Sequence, residues 1–266
     1  MQRIRLRYTK RGRLRFTSHR DFQRAFERAL RRSAVPMAYS AGFTPHPKVS
    51  YANAAPTGVA SEAEYLEIGL ADFRDPEALR AQLDESLPNG LDIIDAVDVR
   101  TPNFVERLEA SLWEVRLPGV SEEQAAHAIE LFLAAESVEV ERQTKNGLRV
   151  FDARGAVASL ALVPGQVGVA PVGESSATSD VRTGDACAIL RLVVRHATPA
   201  VRPDDVLSGL RSTADLAPPV PAEVTRLAQG PLDEETGTVT DPLALDRAAA
   251  QAVPSETAEP QAVASA

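Results

Sequence analysis

The sequence predicts an α+β protein built from two ferredoxin-like units, each an antiparallel sheet with helices on one face, followed by a disordered acidic tail. Three observations lead there. Strand-like and helix-like patterns alternate along the chain. The same order of elements begins again after Thr101-Pro102-Asn103. At 266 residues the chain has room for two modest domains and a tail.

Residues 3–8 alternate, with Ile4, Leu6 and Tyr8 on one side and Arg3, Arg5 and Arg7 on the other. After the turn-like Lys10-Arg11-Gly12, Leu14 and Phe16 alternate with Arg13 and Arg15, so a β-hairpin is predicted. Ser18 opens a helix, with Asp21 as its capping partner three positions on. Phe22, Ala25, Phe26, Ala29 and Leu30 make its buried stripe, and Arg20, Arg24, Arg28 and Arg31 its outer face. Periodicity does not resolve residues 39–50. A strand is predicted over 65–70, a helix over 75–87 with Asp75 as cap and Pro76 at the first position, and a strand over 91–99. Residues 1–100 form the first unit.

The second unit spans 108–213. It holds a strand at 111–118, a helix from Ser121 to about 135 with Gln124 completing a capping box, and a hairpin over 138–152 turning at Asn146-Gly147. Strands at 157–163 and 187–195 flank a flexible insert, 164–186, and Pro203 starts a last short helix. Residues 214–266 lack aromatic residues and are rich in Pro, Ala and acids, which predicts a disordered tail.

Charge is distributed unevenly. Residues 1–50 carry thirteen of the 29 Lys and Arg residues but only two acids, Asp21 and Glu27, a local charge of +11 in a chain of net charge −8. Arginine outnumbers lysine 26 to three, a compositional bias, so the placement of the cations is more informative than their number. Such a cluster suits a polyanion, an acidic partner or internal carboxylates. In the functional reading, Arg3, Arg5, Arg7, Arg13 and Arg15, with Arg20, Arg24 and Lys48, contact RNA phosphates. In the competing reading Glu62, Glu64, Glu67, Asp92 or Asp95 neutralises them. Aromatic residues are scarce at 5%, which favours recognition of phosphate or shape over bases.

One cysteine, Cys187, excludes a disulfide framework, a CxxC zinc site and a three-cysteine iron–sulfur cluster on this chain. No secretory or membrane-spanning pattern is seen, and the cytoplasm is expected. The prolines flanking His46 stiffen the segment Tyr39-Ser40-Ala41-Gly42-Phe43-Thr44-Pro45-His46-Pro47-Lys48-Val49-Ser50, and Gly42 suggests a positive φ. Glu62 and Glu64, at i and i+2, share a face if a strand runs through them, an arrangement that serves ion pairing, metal binding or acid–base chemistry.

Taken together, Arg15-Phe16, Ser18-His19 and Asp21, then Arg28-Ala29 and Arg31-Arg32, then Tyr39-Ser40, Gly42-Phe43 and Pro45-His46-Pro47, then Gly58, Ser61-Glu62 and Glu64-Tyr65 resemble the signature of the radical-SAM-linked family of uncharacterised bacterial proteins. The match is dense over residues 13–70. The resemblance implies a stand-alone accessory protein without cofactors of its own. A separately encoded radical SAM enzyme would carry the iron–sulfur cluster and S-adenosylmethionine. The expectation is therefore a non-catalytic partner that presents an RNA substrate for modification or processing. Two alternatives stand beside it: metal-free RNA cleavage by His46 with Ser40 or Tyr39, and a purely protein-binding adaptor.

Overall fold

The computed structural model describes residues 1–145, 147–164 and 186–252. The chain begins with β1 (Gln2–Lys10), a 3-10 turn (Gly12–Phe16) and α1 (His19–Arg32). It continues through β2 (Val49–Ala52), β3 (Ala60–Leu70), α2 (Pro76–Ser86) and β4 (Ile93–Asp98). All pairings among these four strands are antiparallel and their order is β4-β1-β3-β2. This βαββαβ arrangement is ferredoxin-like. Ile4, Leu6 and Tyr8 of β1 meet Phe22, Phe26 and Leu30 of α1 and Leu79 and Leu83 of α2 in one core. Both helices therefore lie on the face of the sheet that these residues line.

The same plan returns in β5 (Ala110–Pro118), α3 (Glu122–Ala134), β6 (Glu139–Thr144), β7 (Gly147–Asp152), β8 (Val157–Leu162), β9 (Cys187–Arg195), α4 (Pro203–Ala214) and β10 (Glu223–Gly230). With the β6–β7 hairpin set aside, the order β10-β5-β9-β8 repeats that of the first half, again with antiparallel pairs. Ser121 and Gln124 form the predicted capping box of α3. Trp113, Val115, Leu190 and Leu192 pack against Ala125, Phe132, Val206 and Leu210 in a second core.

Two expectations need correction. Residues 13–16 do not return as the second strand of a hairpin. Both edges of β1 are taken, by β3 and β4, so the chain turns at Gly12 (φ +52°) into the 3-10 turn instead. The expected disordered tail, 214–266, also begins too early. β10 is a central strand, parallel to β3 at Thr225–Arg226 and antiparallel to β5 along its length. It joins the two halves into one eight-stranded sheet. The chain then forms β11 (Leu232–Asp233), β12 (Thr238–Val239) and α5 (Ala244–Gln251). A strand paired on both sides draws stability from its neighbours, so the polar composition averaged over this stretch hid it. Residues 253–266, and 165–185 of the expected insert, lie outside the described residues.

Leu243, just before α5, completes a third apolar cluster with Tyr65, Val97, Phe104 and Leu108. This cluster covers part of the sheet face opposite α1 and α2, the face to which Arg3, Arg5 and Arg7 point.

Candidate functional site

The arginines of β1 are largely satisfied from within. Arg5 is only 2% exposed; it pairs with buried Asp246 of α5 and with Glu67 at 3.2 Å, and donates to the Thr101 carbonyl at 2.8 Å. Its guanidinium also lies 4.8 Å over the Phe104 ring. Arg7 donates to the carbonyls of Glu62 at 2.8 Å and Leu227 at 3.4 Å. Arg3 is half-exposed but shares Glu67, at 3.1 Å. Arg15 stacks over Phe16 at 4.9 Å, and its backbone carbonyl accepts from the Gly58 amide at 2.8 Å. Arg5 is thus a structural residue and cannot meet phosphate, because the fold occupies it with Glu67 and with Asp246, which sequence reasoning had placed in a disordered tail. Burial disfavours the Asp246 charge, but hydrogen bonds from Thr101, Arg100 and Arg5 outweigh this and hold its carboxyl below the usual range.

The outer face of α1 is different. Arg20, Arg24, Arg28 and Arg31 fall on one side of the helix and all are exposed. Ser18 caps the helix, accepting from the Asp21 amide at 3.2 Å while its hydroxyl donates to the Asp21 carboxylate at 2.7 Å. Among the described residues, a single ion pair involves this row: Arg24 with Asp21 at 3.9 Å, both more than 60% exposed. Arg13, on the 3-10 turn, is likewise exposed and without a partner there. His19 begins α1, meeting the Tyr51 ring edge-on at 4.9 Å and Gln23 at 3.0 Å. The strand arginines and the helix arginines therefore lie on opposite sides of the sheet rather than on one basic surface.

The Tyr39–Lys48 loop sits on the strand-arginine side. It closes on itself: the Ser40 amide donates to the His46 carbonyl at 2.9 Å, the His46 amide donates to Ser40 Oγ at 3.1 Å, and Tyr39 bridges Pro47. Gly42 has the expected positive φ, +146°. Phe43 is wholly exposed and Pro45 is exposed beside it. Ser40, His46, Pro47 and Lys48 line a groove of about 280 Å³ together with Arg3 and Glu67. The Ser40 oxygen is engaged by the His46 backbone, and no contact joins the imidazole to Ser40 or Tyr39.

The paired glutamates part company. Glu62 holds Arg11 on the surface, through Nε at 2.6 Å and a second contact. Glu64 is buried and pairs with Arg226 of β10, accepting also from the Ala55 amide at 3.0 Å. Buried Ser61 lies 3.4 Å from Arg226 Nε, and Gln229 donates to the Ala63 carbonyl at 2.6 Å. Lys10 ties down the same region through the Ala55 and Pro56 carbonyls at 3.2 and 3.1 Å, and burial lowers its pKa. Tyr65 packs edge-on against Phe104 at 5.4 Å. Ser61, Glu64 and Tyr65 therefore help build the joint between the two halves. Among the described residues, no group of three or more His, Cys, Asp or Glu side chains is placed to hold a metal ion. No helix there is long and apolar enough to cross a membrane.

The family model described as "Uncharacterized protein conserved in bacteria (DUF2344)" matches residues 3–203. The chain belongs to this family. The DUF2344 match takes in both the α1 face and the groove, and stops at the start of α4, before the strand that completes the second half of the sheet. No curated protein matches the chain.

Sequence reasoning missed Arg226, Asp246 and Gln229, which organise the interior. An arginine in a Pro- and acid-rich stretch gives no periodic signal. Only the absence of a strand after the last helix of the second unit, where the first unit has one at 91–99 after its helix, could have pointed to it.

Proposed function

We propose that this DUF2344 protein is an accessory protein that holds an RNA on the outer face of α1 and presents it to a separately encoded radical SAM enzyme. One observation carries the RNA part of this reading. The arginines of β1 and of the joint are matched to carboxylates or carbonyls, whereas Arg20, Arg28 and Arg31 of α1, and Arg13 beside it, have none among the described residues; Arg149, Arg202 and Arg211 of the second half also lack one but do not form a row on a helix face. Like charges spaced i, i+4 cost a helix stability. A row left without internal partners suits an external polyanion, whose phosphates would replace the missing carboxylates. A rise of about 1.5 Å per residue spaces Arg20, Arg24 and Arg28 by about 6 Å, a ladder suited to backbone phosphates and not to base edges. The partner enzyme follows from the resemblance of residues 13–70 to the radical-SAM-linked family.

The test is retention of a labelled RNA hairpin at low salt by the native protein and by the Arg20→Glu/Arg24→Glu/Arg28→Glu/Arg31→Glu variant. Native retention with loss in a folded variant supports the reading; equal retention, or none by the native protein, removes it. Recovery of the protein from native cells, with and without nuclease, tests the partner. A radical SAM enzyme that stays bound after nuclease treatment points to direct docking, and its absence from both samples contradicts the association.

A further inference from the structure

We propose that the groove beneath the Tyr39–Lys48 loop is a nucleotide site, with the phosphate on its floor and the base against the exposed rings of the loop. It lies across the sheet from α1, so the inference stands apart from the RNA surface proposed above.

The charge balance of the groove calls for an anion. Among the described residues the Lys48 ammonium meets only the Met1 thioether, at 3.4 Å, which is a weak acceptor. Arg3 has one carboxylate, Glu67, and must share it with Arg5. Among the described residues Glu67 is the single acid lining the groove, against Arg3 and Lys48. A phosphate there would be held by two cations, which gives shorter and stronger hydrogen bonds than neutral donors do. Ser40 Oγ already accepts from the His46 amide, so its own proton is left to donate, and the Ser50 hydroxyl also lines the groove.

The floor is built for close approach. At Gly69 of β3, a Cβ would lie 3.2 Å from Lys48 Cβ and 3.7 Å from Ala38 Cβ. The bare backbone lets the Lys48 stem lie flat along the sheet. Gly69 also fixes both ends of the loop, donating to the Lys48 carbonyl at 2.9 Å and accepting from the Ala38 amide at 2.8 Å. The loop is thus held at its base and stiffened by Pro45 and Pro47, so little ordering entropy opposes binding.

Size and surface chemistry narrow the ligand. At about 280 Å³ the groove has room for a phosphate and its sugar. Tyr39 is 55% exposed and Phe43 fully exposed on the loop that supplies Ser40, His46 and Lys48, and the base would reach out toward them. Exposed rings on such a loop offer a stacking platform tolerant of base identity.

Calorimetric titration with nucleoside 5′-monophosphates, free nucleosides and inorganic phosphate tests this. The mononucleotide should bind at least tenfold more tightly than either fragment. Lys48→Gln should weaken mononucleotide and phosphate alike, whereas Phe43→Ala should weaken the mononucleotide alone; both side chains are exposed, so the fold is spared. The α1 charge-reversal variant should bind the mononucleotide as the native protein does. An RNA oligomer with a 5′-phosphate that binds more tightly than the mononucleotide assigns the site to an RNA end; weaker binding assigns it to a free nucleotide. No binding of any mononucleotide, or binding indifferent to Lys48→Gln, overturns the proposal.

Discussion

Glu64 and Arg226 stand 162 positions apart in the chain and meet in a buried ion pair where the two halves of the sheet join. Arg226 also lies 5.5 Å over the Trp113 ring, so the guanidinium links β3, β5 and β10. The joint is thereby tied to one side chain on each half. This gives the G-x-x-S-E-x-E-Y segment at Gly58–Tyr65 a physical role that does not involve catalysis.

Removing one partner of a buried pair leaves the other charge without compensation, which costs about 3–5 kcal/mol. Glu64→Ala should therefore lower stability by about that amount, read as a shift in the urea midpoint at unchanged slope. A loss below about 1 kcal/mol, the range of an exposed pair, would show that the joint does not depend on this contact.

The stretch after α4 is predicted to be essential. A chain ended at residue 214 lacks β10 and should show no cooperative unfolding transition, measured by circular dichroism against temperature. Asp246→Ala, which strips Arg5 and Arg107 of a shared buried carboxylate, should fold but be destabilised by about 3–5 kcal/mol. Native-like melting of the 214-residue chain would restore the view of this stretch as a tail.

Much of this could be read from the sequence, and the reason for the rest is physical. Ser18, Asp75 and Ser121 marked the helix starts because caps are local chemistry, and the alternation of Ile4, Leu6 and Tyr8 placed the helix-covered face. The repeat of the ferredoxin-like plan was visible as an order of elements. What failed was anything needing a distant partner. Arg13 and Arg15 alternate like a strand but find no free edge to pair with. Arg5 and Arg20 look equally available in sequence, yet Asp246, 241 positions away, takes the first and leaves the second in solvent.

His196 offers a pH signature. Its Nδ1–H donates to the Leu108 carbonyl at 2.5 Å, and in the neutral ring Nε2 accepts from the Ser111 hydroxyl at 2.8 Å. Burial, aided by Arg226, lowers its pKa from the ordinary 6.5, although the Leu108 bond works in the opposite sense. The unfolded chain then binds the proton more readily. Stability from this group is complete above about pH 6.5 and is lost as the pH falls toward the folded-state pKa. Urea midpoints across this window should fall on acidification in the native protein and more shallowly in His196→Gln. Parallel curves for the two would contradict the assignment.

The arginine row on α1 should also carry a stability cost. Each like-charged i, i+4 pair opposes the helix by about 0.2–0.5 kcal/mol at low salt. Arg24→Gln relieves two such pairs, with Arg20 and with Arg28, while giving up only the long contact to Asp21. It should raise the melting temperature slightly at low ionic strength and leave it unchanged at high salt. A lower melting temperature would mean that the row is neutralised within the molecule.

The most direct test of the central claim, that this row meets a polyanion, is the salt dependence of RNA affinity. The logarithm of the binding constant should fall linearly with the logarithm of salt concentration, and each of Arg20→Gln, Arg24→Gln, Arg28→Gln and Arg31→Gln should make that slope shallower by about 0.7–0.9. A slope unaffected by all four substitutions, or no measurable RNA affinity at low salt, would contradict it.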